Sequence, residues 1–116
     1  MTSRQDFTID AGRDYQLAVA LFEADNTTPL NLLDTIVEWI VSKQGVVQLI
    51  NKSSTDPTQI EVTSIGEGLL TIYVEAPDTE VLGALTCEHE LIVTEAAGNE
   101  ATVMRGLITI SKRTVN

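Results

Sequence analysis

The chain has 116 residues, a formal charge of −10 from 17 acidic and 7 basic side chains, and a single cysteine. That length fits one domain spanning residues 1–116, the charge opposes a phosphate backbone and so argues against nucleic-acid binding, and one cysteine excludes an intrachain disulfide. No apolar run approaches the ~20 residues needed to span a bilayer, and the opening Met1–Asp6 lacks the apolar core of a secretory signal. The expectation is a soluble protein made in a cytoplasm, with no membrane partner. Apolar residues make up 43 % of the chain but aromatics only 4 %, so the core should be built from Val, Leu and Ile, which suit a pleated surface.

Apolar side chains recur two residues apart in most segments, the spacing that turns one face of a strand toward a core. The first predicted strand is Asp6–Ile9, closed by Ala11 and Gly12. The second runs from about Tyr15 to Glu23, with Tyr15, Leu17, Val19 and Leu21 in one phase and Ala18, Ala20 and Phe22 in the other. Ala24–Pro29 reads as a turn, since Asp and Asn bond their own backbone and Pro fixes φ. Leu30–Asp34 leads into a third strand, Thr35–Lys43, and after a break at Gln44 and Gly45 a fourth covers Val46–Ile50. Asn51–Thr58 is rich in Ser, Thr, Asp and Pro and is expected to be a loop. Ile60–Ile65 and Leu69–Glu75 form the fifth and sixth strands around Gly66–Gly68. Ala76–Leu82 should hold one helical turn, because Pro and acids favour a helix start. Leu85–Thr94 and Thr102–Ser111 complete the set, joined by a hairpin signal at Glu95–Glu100. These elements describe an all-β sandwich of about seven to eight antiparallel strands.

Reactive constellations are sparse. Cys87 and His89 at i, i+2 share a strand face, but a zinc site needs further N or S ligands and the sequence has no other His or Cys. As a nucleophilic pair they would sit ~7 Å apart along a strand, beyond hydrogen-bond reach. Both are expected to be packed side chains. Asp25, Asn26, Asp34, Asp56 and Asp78 are loop oxygens that turn chemistry explains without a cation, and Glu88 and Glu90 read as a solvated strand face. No phosphate loop or nucleophile elbow is present. No catalytic residue, metal or cofactor is therefore expected, and the chain is expected not to be an enzyme.

The informative surface is instead apolar. With Val37, Trp39 and Val41 inward, Ile36 and Ile40 point outward on either side of Glu38, while Phe22, Leu69, Tyr73 and Ile92 also fall out of phase. Clustered outward apolar residues mark contact surfaces. Ile36, Glu38, Ile40, Phe22 and Tyr73 are the candidate partner interface, with a homo-oligomer or symmetric assembly as the expected outcome.

The order of these motifs resembles the N-terminal immunoglobulin-like domain of phage baseplate upper proteins. Asp6-Phe7-Thr8-Ile9-Asp10-Ala11-Gly12 is similar to that family's opening segment, and Tyr15–Leu21 to its Tyr-x-Leu-x-Val-x-Leu strand. The turn and strand from Asp25 through Val41, Gly68–Ile72, Glu90–Thr94 with the Gly98-Asn99 turn, and Gly106–Ile110 follow in the family's order. The resemblance spans nearly the whole chain and rests on strand and turn patterns. It implies a structural protein of a bacteriophage virion that docks other phage structural proteins. The family's longer members continue into C-terminal regions, whereas this sequence ends at Lys112–Asn116, so the expected role is a baseplate or tail adaptor subunit. Alternatives are a capsid decoration or head-fibre protein and, from another class, a carbohydrate-binding module using an exposed ring such as Tyr73. Trp39 and Cys87 are similar to the core Trp and second Cys of antibody domains, but Leu17 and Val19 stand where the first Cys would be, and Leu85-Thr86-Cys87 replaces the Tyr-x-Cys corner.

Overall fold

The computed structural model describes residues 3–23, 27–43, 47–80, 82 and 84–111. In chain order these form β1 (Ser3–Arg4), β2 (Phe7–Asp10), β3 (Tyr15–Ala20), β4 (Ile36–Lys43), β5 (Val47–Ser53), β6 (Ile60–Ser64), β7 (Leu69–Val74), α1 (Ala76–Glu80), β8 (Leu85–Thr94) and β9 (Glu100–Ser111). Six strands make one sheet, in the order β1-β9-β8-β4-β5 with β2 also on β9, and three make the other, in the order β3-β7-β6. The inner faces carry the alternating aliphatic rows: Val37, Trp39 and Val41 on β4, Cys87, Leu91 and Val93 on β8, Ile108 and Ile110 on β9, and Leu70, Ile72 and Val74 on β7. Two sheets burying such rows against each other are a sandwich, as the periodicity predicts.

Beyond strand ends, such as β3 closing at Ala20 rather than Glu23, three details differ from the sequence reading. The N-terminal segment runs parallel to β9, so the sandwich is not antiparallel throughout. Ser3 pairs with Met104 and Phe7 with Ile108, the same offset, so β1 and β2 are one edge strand interrupted at Gln5 and Asp6. Next, β5 continues through Ser53 into the stretch expected to be a loop, with Trp39 opposite Lys52 and Glu38 opposite Ser53. Polar composition is outweighed there because Lys52 Nζ is drawn inward to Asp78, 2.7 Å away. Finally, β9 begins at Glu100 rather than Thr102, and a register shift between Leu91 and Ile92 absorbs the extra residue. The expected break at Gln44 and Gly45, and Ala24–Asn26 of the expected turn, lie outside the described residues.

Other local signals held. The Glu95–Glu100 hairpin is closed by Gly98 N–H to Glu95 O and Glu95 N–H to Asn99 O, with Gly98 at φ +91°. The expected helical turn is α1, whose buried Thr79 accepts a hydrogen bond from the Gly12 N–H at 2.9 Å.

Gly106 has a steric rather than a torsional role. A side chain there would strike the Gln5 carbonyl oxygen, and would come within 2.7 Å of the Asp6 carboxylate. The interrupted edge strand thus dips into space that only glycine leaves open. Gly106→Ala is expected to lower the unfolding free energy by about 2 kcal/mol in urea, the range for overpacking. Gly66→Ala, with nothing within 4 Å, should change it by less than about 0.5 kcal/mol.

Candidate functional site

β4 and β8 lie side by side in the larger sheet, with Ile36 opposite Thr94, Glu38 opposite Ile92 and Ile40 opposite Glu90. The inward residues of both strands are buried, so this second set faces out. Ile92 therefore lies diagonal to both Ile36 and Ile40, within reach of branched side chains, and the three surround Glu38. Ile36 is 43 % exposed; Ile40, Ile92 and Glu38 are half-buried. Beside this apolar triad a half-buried Glu90 pairs with the exposed Arg105 of β9 at 3.5 Å. A shallow groove of about 390 Å³ continues past Ile40, Gln48, Glu88, Glu90, Arg105 and Leu107, the last 41 % exposed.

Two of the five expected interface residues lie elsewhere. Phe22 and Tyr73 belong to the outer face of the smaller sheet: Tyr73 sits opposite Gln16, and Phe22 follows β3 in the same phase as Gln16. The strand rise separates them by about 20 Å. Phe22 is 45 % exposed and pairs with Pro29. The Tyr73 hydroxyl donates to Glu61 Oε1 at 2.8 Å, and that bond to a carboxylate raises the phenol above its usual range. Tyr73 also lines a groove of about 360 Å³ with Asp14, Tyr15, Gln16, Thr58 and Glu75. Ile36, Glu38 and Ile40 thus form one patch, and Phe22 and Tyr73 stand apart from it and from each other.

Cys87 and His89 both face the core. Burial pushes the Cys87 thiol up and keeps it protonated. His89 Nδ1 accepts the Trp39 Nε1–H at 3.2 Å, which leaves Nε2 to carry the proton and donate to Gln5 O at 2.5 Å. The ring of Phe7 lies 5.0 Å from the imidazole. Burial holds the His89 imidazole below its usual value, against the opposing influence of the Gln5 bond and the Asp6 charge. Sequence spacing pairs His89 with Cys87; the fold pairs it with Trp39 and the N-terminal strand, 50 and 84 residues away along the chain.

The loop oxygens have separate structural duties. Asp56 accepts from the Thr58 hydroxyl and N–H, bonds that hold its carboxyl below the usual range. Asp34 takes φ +56°, a left-handed position that Asp tolerates. Asp78 accepts the Glu75 N–H and the Lys52 ammonium. Asp25 and Asn26 are outside the described residues. Among the described residues no group of three or more His, Cys, Asp and Glu side chains could hold a metal ion.

No family model matches the chain. It is 38 % identical over 63 residues to the deoxyuridine 5'-triphosphate nucleotidohydrolase of Mycobacterium marinum, a stretch covering 53 % of this chain and 41 % of that protein. The chain thus spans less than half the length of the curated relative it matches. Among solved structures, the second Ig domain of the mouse polymeric immunoglobulin receptor superposes with a TM-score of 0.51 at 10 % identity, covering 98 % of this chain and 100 % of that one. Murine CRIg gives 0.41 at 15 % identity over 94 % and 92 %. The protein is an immunoglobulin-like β-sandwich.

The Lys52–Asp78 pair, invisible in the sequence, has a measurable asymmetry. Only 9 % of the Lys52 side chain is exposed against 26 % for Asp78. Asp78→Ala strands a buried ammonium and should cost about 3 kcal/mol on chemical unfolding. Lys52→Met leaves a carboxylate that water can reach and should cost about 1 kcal/mol.

Proposed function

We infer that the chain is a non-enzymatic structural protein of a bacteriophage virion, a baseplate or tail adaptor subunit made in the host cytoplasm that docks other phage structural proteins. The motif order from Asp6 through Ile110 supports the family assignment, and the immunoglobulin-like sandwich is the fold that assignment implies. The observation that carries the docking role is the uncovered triad of Ile36, Ile40 and Ile92 around Glu38. Covering water-facing isoleucines clustered on one sheet face with a second surface removes apolar area from water and so lowers the free energy.

The neighbour fitted to that face is a second copy of this chain. A two-fold contact would set triad against triad and let the Glu90–Arg105 pair of each copy exchange partners across the axis. Such a contact works against a net charge of −10 per chain, so added salt strengthens it by screening that repulsion.

Multi-angle light scattering on the purified protein tests the reading. Wild type is expected above the 12.6 kDa monomer mass, increasingly so at high salt, and an Ile36→Lys, Ile40→Lys double variant is expected to run as a folded monomer. Unchanged assembly of a folded double variant would sink the assignment of this face. Immunogold labelling of phage particles checks location: gold is expected at the tail, and gold on the capsid would make the chain a decoration protein instead.

A further inference from the structure

We propose that His89 is an acid-opened latch on the N-terminal edge strand: protonation of its buried ring frees residues 3–10 from β9 while the rest of the sandwich stays folded. The geometry carries this. Both ring nitrogens are committed, Nδ1 as acceptor to Trp39 and Nε2 as donor to Gln5. A second proton must go to Nδ1, where it meets the indole N–H donor-to-donor with no acceptor between them. The imidazolium then needs water, and its residue is 2 % exposed.

What yields is set by position in the sheet. Trp39 lies on β4, held between β5 and β8. Phe7 and the Gln5 carbonyl meet the ring from the edge segment, which among the described residues pairs with β9 alone. Lifting an interrupted edge strand breaks fewer contacts than opening the centre of a sheet, so hydration enters from that side. Gly106, opposite His89 on β9, leaves nothing but backbone beneath the Gln5 carbonyl.

The charged surroundings do not cancel the effect. From the edge strand, Asp6 favours the cation, but its carboxylate accepts the Leu107 N–H at 2.9 Å and pairs with Arg4 at 3.4 Å. Cys87 shares the inner face of β8 and stays protonated. Glu88, Glu90 and Arg105 lie on the opposite face of β8 and β9. β4 presents Trp39 and Val41, and the smaller sheet presents buried aliphatic side chains such as Leu70 and Ile72. A histidine whose folded value is depressed contributes stability that is complete above its unfolded value. That contribution is lost as pH falls below about 6.5 toward the folded value, before most carboxylates titrate.

Hydrogen exchange with correction for intrinsic rates, run beside NMR titration of the chain's single histidine, tests the latch. Between about pH 7.5 and pH 5, amides from Arg4 to Ala11 are expected to lose protection roughly tenfold. β4 and β8 should keep theirs, and the loss should follow the His89 resonance. In His89→Gln the amide oxygen can accept from Trp39 and the amide nitrogen can donate to Gln5 without a proton to gain, so protection should be flat across that range. The proposal fails if residues 4–11 stay protected while His89 titrates, if all strands loosen together, or if His89→Gln loses the edge strand at the same pH. Should the variant not fold, co-titration in the wild-type chain decides alone.

Discussion

An indole is apolar except at Nε1–H, and Trp39 is fully buried in the middle of the larger sheet, so that donor must find an acceptor inside the core. The acceptor is His89 Nδ1, and this choice propagates. It fixes the tautomer, the tautomer turns Nε2–H toward the N-terminal strand, and the Gln5 carbonyl leaves the regular pairing to meet it. The dip of Gln5 in turn demands Gly106 on β9. One buried N–H thereby orders four segments that are remote in sequence. The described residues contain no buried side-chain polar atom without a partner, as a core that carries a histidine and a lysine requires.

What the sequence made legible was whatever depends on alternation. β3, β4, β7 and β8 follow apolar rows that only a half-buried strand explains, and the outward phase of Ile36, Ile40 and Ile92 follows from those rows by geometry. Alternation is silent on direction, so the parallel docking of Phe7–Asp10 on β9 could not be read from it. It also misjudges polar residues that are buried in pairs. Asn51-Lys52-Ser53 reads as loop because it opens a stretch rich in Ser, Thr, Asp and Pro, whereas the fold pairs Lys52 with Asp78 of α1. The candidate interface was legible in part for the same reason. Phase places Phe22 and Tyr73 outside as surely as Ile36, but not on which sheet, and that depends on strand order.

The superposition on a receptor Ig domain at 10 % identity shows how little of the fold depends on particular side chains. The inner rows must be apolar, about the right size and in phase; their identities are exchangeable. Neither the antibody-type disulfide nor a tyrosine corner is available here, since the chain has one cysteine and Leu85 precedes Thr86-Cys87. Aliphatic packing and the Trp39–His89 contact occupy that space instead. The shared architecture leaves the outer faces unconstrained.

Those faces differ in what they offer because of how the sheet margins are secured. An unpaired margin is a template for strand addition, and the larger sheet ties down both of its marginal strands with buried polar contacts. On one side the Gln5–His89 bond holds the N-terminal strand along β9; on the other the Lys52–Asp78 pair anchors β5 to α1. Both contacts run inward, so among the described residues no strand or helix lies over the outer isoleucines of β4 and β8, of which Ile36 is exposed and Ile40 and Ile92 are half-buried. Polar anchoring at the margins and apolar exposure at the centre favour, for the proposed contact, joining through the face over strand addition at an edge.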